Sequence, residues 1–203
     1  VVVLGDHCQI DTHTAVYPNF YLKEAGLLSV SEKGAIQSYD FYAQHCDGCC
    51  YIYAGKEMKR RLKKAPKQER EECMKQLRTA LRQIPDEMIS KIISRKQAKE
   101  LGADDECICM LEAVPGYYFQ NGHEKPYERV EEMTGHKMLA THGYLPDLPD
   151  YETFFMMSGY GVAAGERMDQ MFLWDEAPTL ATILGVELKD TDGTAKVRMT
   201  EEY

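Results

Sequence analysis

Apolar and polar positions along this chain switch between the period of a strand and the period of a helix. Val1-Val-Val-Leu4 is a continuous apolar run and predicts a buried strand. Pro18 to Gly26 predicts a short helix, with proline in the first turn and glycine just past the end. Ile36 to Gln44 and Cys49 to Ala54 are rich in β-branched and aromatic residues on either side of Asp47-Gly48, which predicts a hairpin. Met74, Leu77, Leu81 and Ile84 recur at three- and four-residue spacing, so a helix should run from Pro66 to Ile84 and stop at Pro85. Met88 to Ser94 reads as a strand, and Lys96 to Leu101 as a helix closed by Gly102. Glu106 to Val114 and Tyr117 to Gln120 read as strands about a Pro115-Gly116 turn. Lys137 to Ala140 and Thr153 to Met157 read as core strands. Asp175 to Leu184 reads as a helix, with Asp175 capping the N–H of Ala177, Pro178 in the first turn and Gly185 as the left-handed stop. Strands alternating with helices imply an α/β fold with a largely parallel sheet, and the hairpin-rich middle implies an antiparallel insertion.

The totals narrow the function classes. With 203 residues the chain is one domain, or one with a sizeable insertion, and 44% hydrophobic residues suffice for a core. The net charge of −9 argues against non-specific binding to a nucleic-acid polymer. An acidic protein that handles phosphate esters needs local positive charge, which bound cations supply. No apolar run approaches the roughly 18 residues of a membrane span, so no membrane association is expected. Seven cysteines without framework spacing point to a reducing, cytoplasmic setting. No basic leader precedes Val1, and the chain does not begin with Met, as expected of a processed product or a piece of a longer protein.

Two histidines stand at the ends of apolar runs. In Lys137-Met-Leu-Ala-Thr-His-Gly-Tyr-Leu-Pro-Asp147, His142 sits between Thr141 and Gly143 at a strand-to-loop junction. Open α/β sheets bind ligands at such carboxyl ends. Asp6-His7 follows Val1–Leu4 in the same way. Asp and neutral His both ligate zinc-like ions, and Gly5 permits the turn that would let adjacent residues reach one ion. The equal alternative is a polar strand end in which Asp6 caps the next segment. The two strands are expected to lie in one sheet with their carboxyl ends at the same edge. His45-Cys46-Asp-Gly-Cys49-Cys50, with Cys107-Ile-Cys109 facing one side of a strand, allows a four-thiol metal site, but reduced hairpin cysteines are the better reading. The basic run 56–64 reads as a solvated face. His13, His123 and His136 have no ligand partner at a recognisable spacing.

Several segments, taken in order, resemble a known family. They are Gly5-Asp6-His7, Arg95 to Ala103, Gly116-Tyr-Tyr-Phe119, Ala140-Thr-His-Gly-Tyr144, Trp174-Asp-Glu-Ala-Pro-Thr-Leu-Ala181, Ile183 to Leu188 and Asp192-Gly193. Together they resemble the C-terminal half of the type I phosphodiesterase/nucleotide pyrophosphatase family of the alkaline phosphatase superfamily. The resemblance covers residues 1–30 and about 88–195 and is weak in 31–87, where that family inserts variable cap segments. It implies an alkaline-phosphatase-like core sheet with helices on both faces and a small antiparallel cap. The corresponding divisions are a core segment 1–30, a cap and connecting strands 31–135, and a core segment 136–203.

In that family two divalent ions, usually zinc, bridge the phosphate. The resemblance assigns Asp6 and His7 to one ion and His142 to the other. The nucleophile, a further Asp and an Asp/His pair lie upstream in the family, and only five residues precede Asp6 here. The chain therefore supplies three ligands and no catalytic nucleophile, and the N-terminal half of the same protein becomes an expected partner. The expected substrate is a small, nucleotide-like phosphate ester. Cys8 stands where the family usually has Gly, so its thiol either alters the loop or joins the metal site. Competing readings are another hydrolase of the superfamily, such as a phosphonoacetate hydrolase or a phosphatase, and a non-catalytic module with a degenerate site.

Overall fold

The computed structural model describes residues 1–159 and 161–197. Its strands in chain order are β1 (Val2–Leu4), β2 (Ile10–Asp11), β3 (Thr14–Val16), β4 (Leu28–Val30), β5 (Ile36–Tyr39), β6 (Phe41–Cys46), β7 (Cys49–Ala54), β8 (Ile89–Ser94), β9 (Cys109–Ala113), β10 (Tyr117–Phe119), β11 (Tyr127–Arg129), β12 (Ala140–Thr141) and β13 (Phe155–Met157). Its α-helices are α1 (Pro18–Glu24), α2 (Lys56–Lys64), α3 (Lys67–Leu81), α4 (Arg95–Glu100) and α5 (Glu176–Leu184). The chain forms two compact units, one of Val1–Cys8 with Glu152–Tyr203 and one of Gln9–Tyr151.

The larger unit is built on an antiparallel sheet in the order β6-β7-β9-β8. Strand alternation gives it two faces. Phe41, Ala43, Cys50, Ile52, Leu111 and Ala113 share one core with Leu22 of α1 and Leu77 and Leu81 of α3. Cys49, Met110 and Ile93 lie on the other face, packed with Ala98 of α4 and Leu145. Both faces being covered explains why β9 is buried at every position.

Local chemistry explains most boundaries. Pro18 opens α1, and Gly26, at φ +71°, follows its end. Ser94 and Gln97 form a reciprocal capping box on α4. Asn19 is fully buried and clamps α1 to β6: its side-chain amide donates to the Ala43 carbonyl at 2.8 Å, and its side-chain oxygen accepts the Ala43 N–H at 2.8 Å. The basic helix α2 is largely exposed and laced with ion pairs such as Arg60 to Glu57, as a solvated face requires.

Several expectations need correction. Among the described residues the sheets are five and small, and β3 with β10 is the one parallel strand pair. The helices pack on an antiparallel sheet, so their alternation with strands did not signal parallel crossovers. β1 pairs with β13 and β12 pairs with β2, so the strands ending at Leu4 and Ala140 do not share a sheet. Only Ala140 and Thr141 of the run beginning at Lys137 form strand, and Leu139 is 68% exposed. Val1 and Val3 are also exposed, so the first run is not a buried strand here. Cys107 precedes β9, so it does not alternate with Cys109, and the two thiols fall in different cores. The sheet also separates Cys49 from Cys50, which removes the four-thiol site.

In the smaller unit, β1 runs antiparallel to β13, with Val3 opposite Met156, and Gly5 extends the pairing by donating to the Phe154 carbonyl at 3.0 Å. Asp175 does not cap α5 with its side chain. One carboxylate oxygen accepts the Phe172 N–H at 3.2 Å and the other accepts the Thr194 N–H at 2.8 Å. Those N–H donors, that of Thr194 foremost, hold its carboxyl below the usual range. A Cβ at Gly193 would collide with the Trp174 carbonyl. The Trp174–Ala181 and Asp192-Gly193 motifs therefore meet as a structural staple on α5.

Candidate functional site

The Thr141-His142-Gly143 segment is fastened to the turn between β6 and β7. Asp47 is the first turn residue and has φ +54°, a region that a non-glycine residue enters only at a cost. Interactions on every side hold it there. The Thr141 hydroxyl donates to Asp47 Oδ2 at 2.7 Å. The Asp47 carbonyl accepts the Phe119 N–H at 2.7 Å, and Gly48 N–H donates to the His142 carbonyl at 2.8 Å. Nε2 of His142 lies 3.6 Å from Asp47 Oδ2, and Nδ1 of His45 lies 3.3 Å from Asp47 Oδ1. The Asp47 carboxylate is 16% exposed, so it faces both imidazoles from a mostly dehydrated position.

Two glycines make this approach possible. A Cβ at Gly48 would overlap the ring of Tyr144, and a Cβ at Gly143 would overlap the Cys46 carbonyl. Gly143 also has φ +85°. Beyond it, Tyr144 donates its hydroxyl to the Tyr117 carbonyl at 2.7 Å, and Leu145 N–H donates to Glu112 Oε1 at 2.8 Å. Thr141, Tyr144 and Leu145 are buried, while the His142 side chain is 43% exposed. The segment is anchored at both ends and leaves the imidazole accessible in the middle.

Glu112 is a buried carboxyl near the C-terminal end of β9. Its Oε2 has no hydrogen-bond partner among the described residues. Burial pushes its pKa up to about 7, against the lowering effects of the Leu145 N–H and of Lys91, with Asp147 adding to the rise.

Asp6 and His7 lie at the end of β1 in the smaller unit. His7 Nε2 is 3.6 Å from Asp6 Oδ2, so the two side chains are neighbours despite being adjacent in sequence. His7 Nδ1 is 3.1 Å from the Cys8 carbonyl oxygen. The Asp6 side chain is 84% exposed. The structure thus brings Asp6 and His7 together in one unit and places His142 beside Asp47 in the other. Among the described residues no three His, Cys, Asp or Glu side chains converge as a metal site. The donor chemistry suits zinc-like ions, but these residues alone do not form a shell.

Sequence reading missed Asp47, Glu112 and His45 as members of this constellation. Asp47 was hidden inside an ordinary turn dipeptide, although His45-x-Asp47 put two polar side chains at the hairpin tip. Glu112 could have been found as the single carboxylate in the apolar run Cys107 to Val114.

No family model matches the chain, and no curated protein matches it in sequence. Its backbone is similar to human and murine ectonucleotide pyrophosphatase/phosphodiesterase 5, each with a TM-score of 0.61 at 12% identity. The similarity covers 95% of this chain and 42% of each of those chains. Likeness at that identity shows the fold alone: a mixed α/β arrangement of several small sheets and α-helices.

Proposed function

We propose that this chain is the metal-ligand-bearing C-terminal portion of a phosphodiesterase or nucleotide pyrophosphatase acting on a nucleotide-like phosphate ester. The observation that carries the reading is the backbone likeness, over nearly the whole chain, to two ectonucleotide pyrophosphatase/phosphodiesterases. Asp6 and His7 serve one divalent ion and His142 the other, with zinc the best match to carboxylate and imidazole donors. Such ions, when bound, supply Lewis-acid polarisation of the phosphoryl oxygens. Asp47 is the carboxylate behind His142, the partner that a ligating histidine characteristically has. The nucleophile and remaining ligands come from the N-terminal half of the same protein. Exposed apolar faces favour that partner: Val3 and Met156 are cross-strand neighbours, 45% and 60% exposed, on a ribbon whose other face is also apolar. Strands apolar on both faces belong to sheets covered on both sides.

The test is zinc titration and hydrolysis of an activated phosphodiester, using this chain and a version extended by the N-terminal half. This chain alone is expected to bind zinc weakly and to turn over nothing. The extended protein is expected to bind two ions per chain and to lose metal-dependent turnover in His142→Ala. Undiminished turnover in that variant would overturn the assignment. A non-catalytic module is the second reading, favoured by the lack of three converging donors among the described residues. An extended protein with no zinc and no turnover would support it. Cys8 tests the first site separately: tight zinc binding by this chain that vanishes in Cys8→Ser would make the thiol a ligand.

A further inference from the structure

The hairpin that holds Asp47 also carries a pair of cysteines that the phosphoryl-transfer reading does not use. Cys46 ends β6 and Cys49 begins β7, and they are direct register partners across the two-residue Asp47-Gly48 turn. Opposed residues in an antiparallel pair project to the same face, with Cα atoms about 4.5–5.5 Å apart. That separation falls within the range a disulfide spans, about 4.4–6.8 Å. The Cys49 sulfur is 3.7 Å from the Cys46 carbonyl oxygen, so it already leans toward its partner. Both thiols are free in this structure.

The two differ in the way a dithiol exchange site requires. Cys46 is exposed and open to a reagent, whereas Cys49 is 3% exposed and sealed beneath the second core. The register continues across the sheet: Cys49 is opposite Glu112, and Glu112 is opposite Lys91. One transverse row on one face therefore reads Cys46, Cys49, Glu112, Lys91. Oε2 of Glu112 is buried in that row without a hydrogen-bond partner among the described residues, while Oε1 is held by the Leu145 N–H. An unpartnered buried carboxylate oxygen beside a buried thiol is a ready proton acceptor. Burial and the neighbouring Cys46 and Glu112 push the Cys49 thiol well above the usual range, so it needs such an acceptor to react.

We propose that Cys46 and Cys49 form a reversible thiol–disulfide exchange site for a small-molecule disulfide of the glutathione type, with Glu112 as the base for Cys49. The Cys46 thiolate attacks one sulfur of the disulfide RSSR. The S–S bond breaks, one RS⁻ leaves and is protonated by water, and Cys46 becomes a mixed disulfide with R. The Cys49 thiol gives its proton to Glu112, and its thiolate attacks Cys46 Sγ. The second RS⁻ leaves and takes a proton from Glu112. Two protein thiols are oxidised to one disulfide, and RSSR is reduced to two RSH. The ring closed is short, so the bond gains little loop entropy, which suits a reversible site better than a structural staple. This inference is independent of the metal reading.

The experiment uses the full chain, reduced and then exposed to glutathione disulfide, with Cys8→Ser as the background so that the other partly accessible thiol is silent. Peptide mapping is expected to find Cys46 joined to Cys49 and two glutathione thiols released per chain. Cys49→Ser is expected to trap glutathione on Cys46, and Cys46→Ser to react with none. In Glu112→Gln the bimolecular first step should proceed at the wild-type rate, while release of the second glutathione slows on the order of tenfold or more. A role for Glu112 confined to holding the Leu145 loop would leave that second step unchanged. The proposal is overturned if folded chain forms no Cys46 mixed disulfide in Cys49→Ser, or if Glu112→Gln leaves the second step unaltered.

Discussion

Replacing Glu112 with Gln should make the stability of this chain less dependent on pH. The wild-type carboxyl is buried in β9 with one oxygen unpartnered, and its pKa is pushed from an ordinary 4.5 up to about 7, chiefly by burial. Because the folded state holds this proton more tightly than the unfolded state, the group's stability contribution is fully present below about 4.5. It is lost as pH rises toward 7, where the unfolded chain ionises freely and the folded chain resists. Above both values the loss is complete. At about 1.4 kcal/mol per pH unit, the separation of the two values corresponds to about 3 kcal/mol. That is a sizeable part of the ~5–15 kcal/mol typical of a domain.

Gln keeps an oxygen to accept the Leu145 N–H, so the loop anchor survives, but it cannot ionise. Its amide leaves a buried donor at the former Oε2 position, a constant penalty of about 1–3 kcal/mol that does not vary with pH. The informative quantity is therefore how the stability gap between the two proteins changes, not the gap at one pH. Urea denaturation of both proteins at about pH 5 and pH 8 should show the gap moving in favour of the variant by about 2–3 kcal/mol. A gap that stays constant within a few tenths of a kcal/mol would mean that Glu112 ionises normally and that its burial does not govern its charge.

Other substitutions test the anchoring of the His142 segment and the core. Gly143→Ala, at φ +85° and against the Cys46 carbonyl, should cost at least about 2 kcal/mol, whereas Gly102→Ala, at φ +73° with open space around it, should cost only about 1 kcal/mol. Equal urea midpoints for the two variants would refute the close approach at Gly143. Asn19→Ala should destabilise by about 2–4 kcal/mol, because it strands the backbone N–H and carbonyl of Ala43 in the core; a thermal midpoint within a degree of wild type would count against that. Asp47→Ala should cost about 2 kcal/mol by losing the Thr141 hydroxyl bond at a positive-φ position, and hydrogen exchange at residues 141–143 should accelerate with it.

Elements governed by local chemistry were readable in the sequence. α1, the β6–β7 hairpin, the long helix α3 and the Gly185 stop followed from proline and glycine placement and from helical periodicity. What failed was long-range pairing. Strand partners are chosen by tertiary contacts that periodicity does not encode, so helices packed on an antiparallel sheet were mistaken for parallel crossovers. Asp175 failed for a related reason. Its side chain has two competing sets of N–H donors, and the segment at Thr194, nineteen residues away in the chain, won over the helix end.

The candidate site divides along the same line. His142 could be singled out because a small residue beside a histidine at the end of an apolar run is a local pattern. Asp47 could not, because its importance lies in Thr141 and His142 returning to the hairpin tip after some ninety residues of intervening chain. The turn dipeptide gave a sufficient local reason for an aspartate at that position, and this masked the second one. Yet only Asp47 of the pair has positive φ, and a hairpin indifferent to its neighbours would place glycine there rather than after it. The order Asp-Gly instead puts a carboxylate at the strained position, and glycine where Tyr144 leaves no room for a Cβ. The strain at Asp47 and the close packing at Gly48 are therefore one arrangement, and its effect is to set a carboxylate and a hydroxyl donor beside the accessible imidazole of His142.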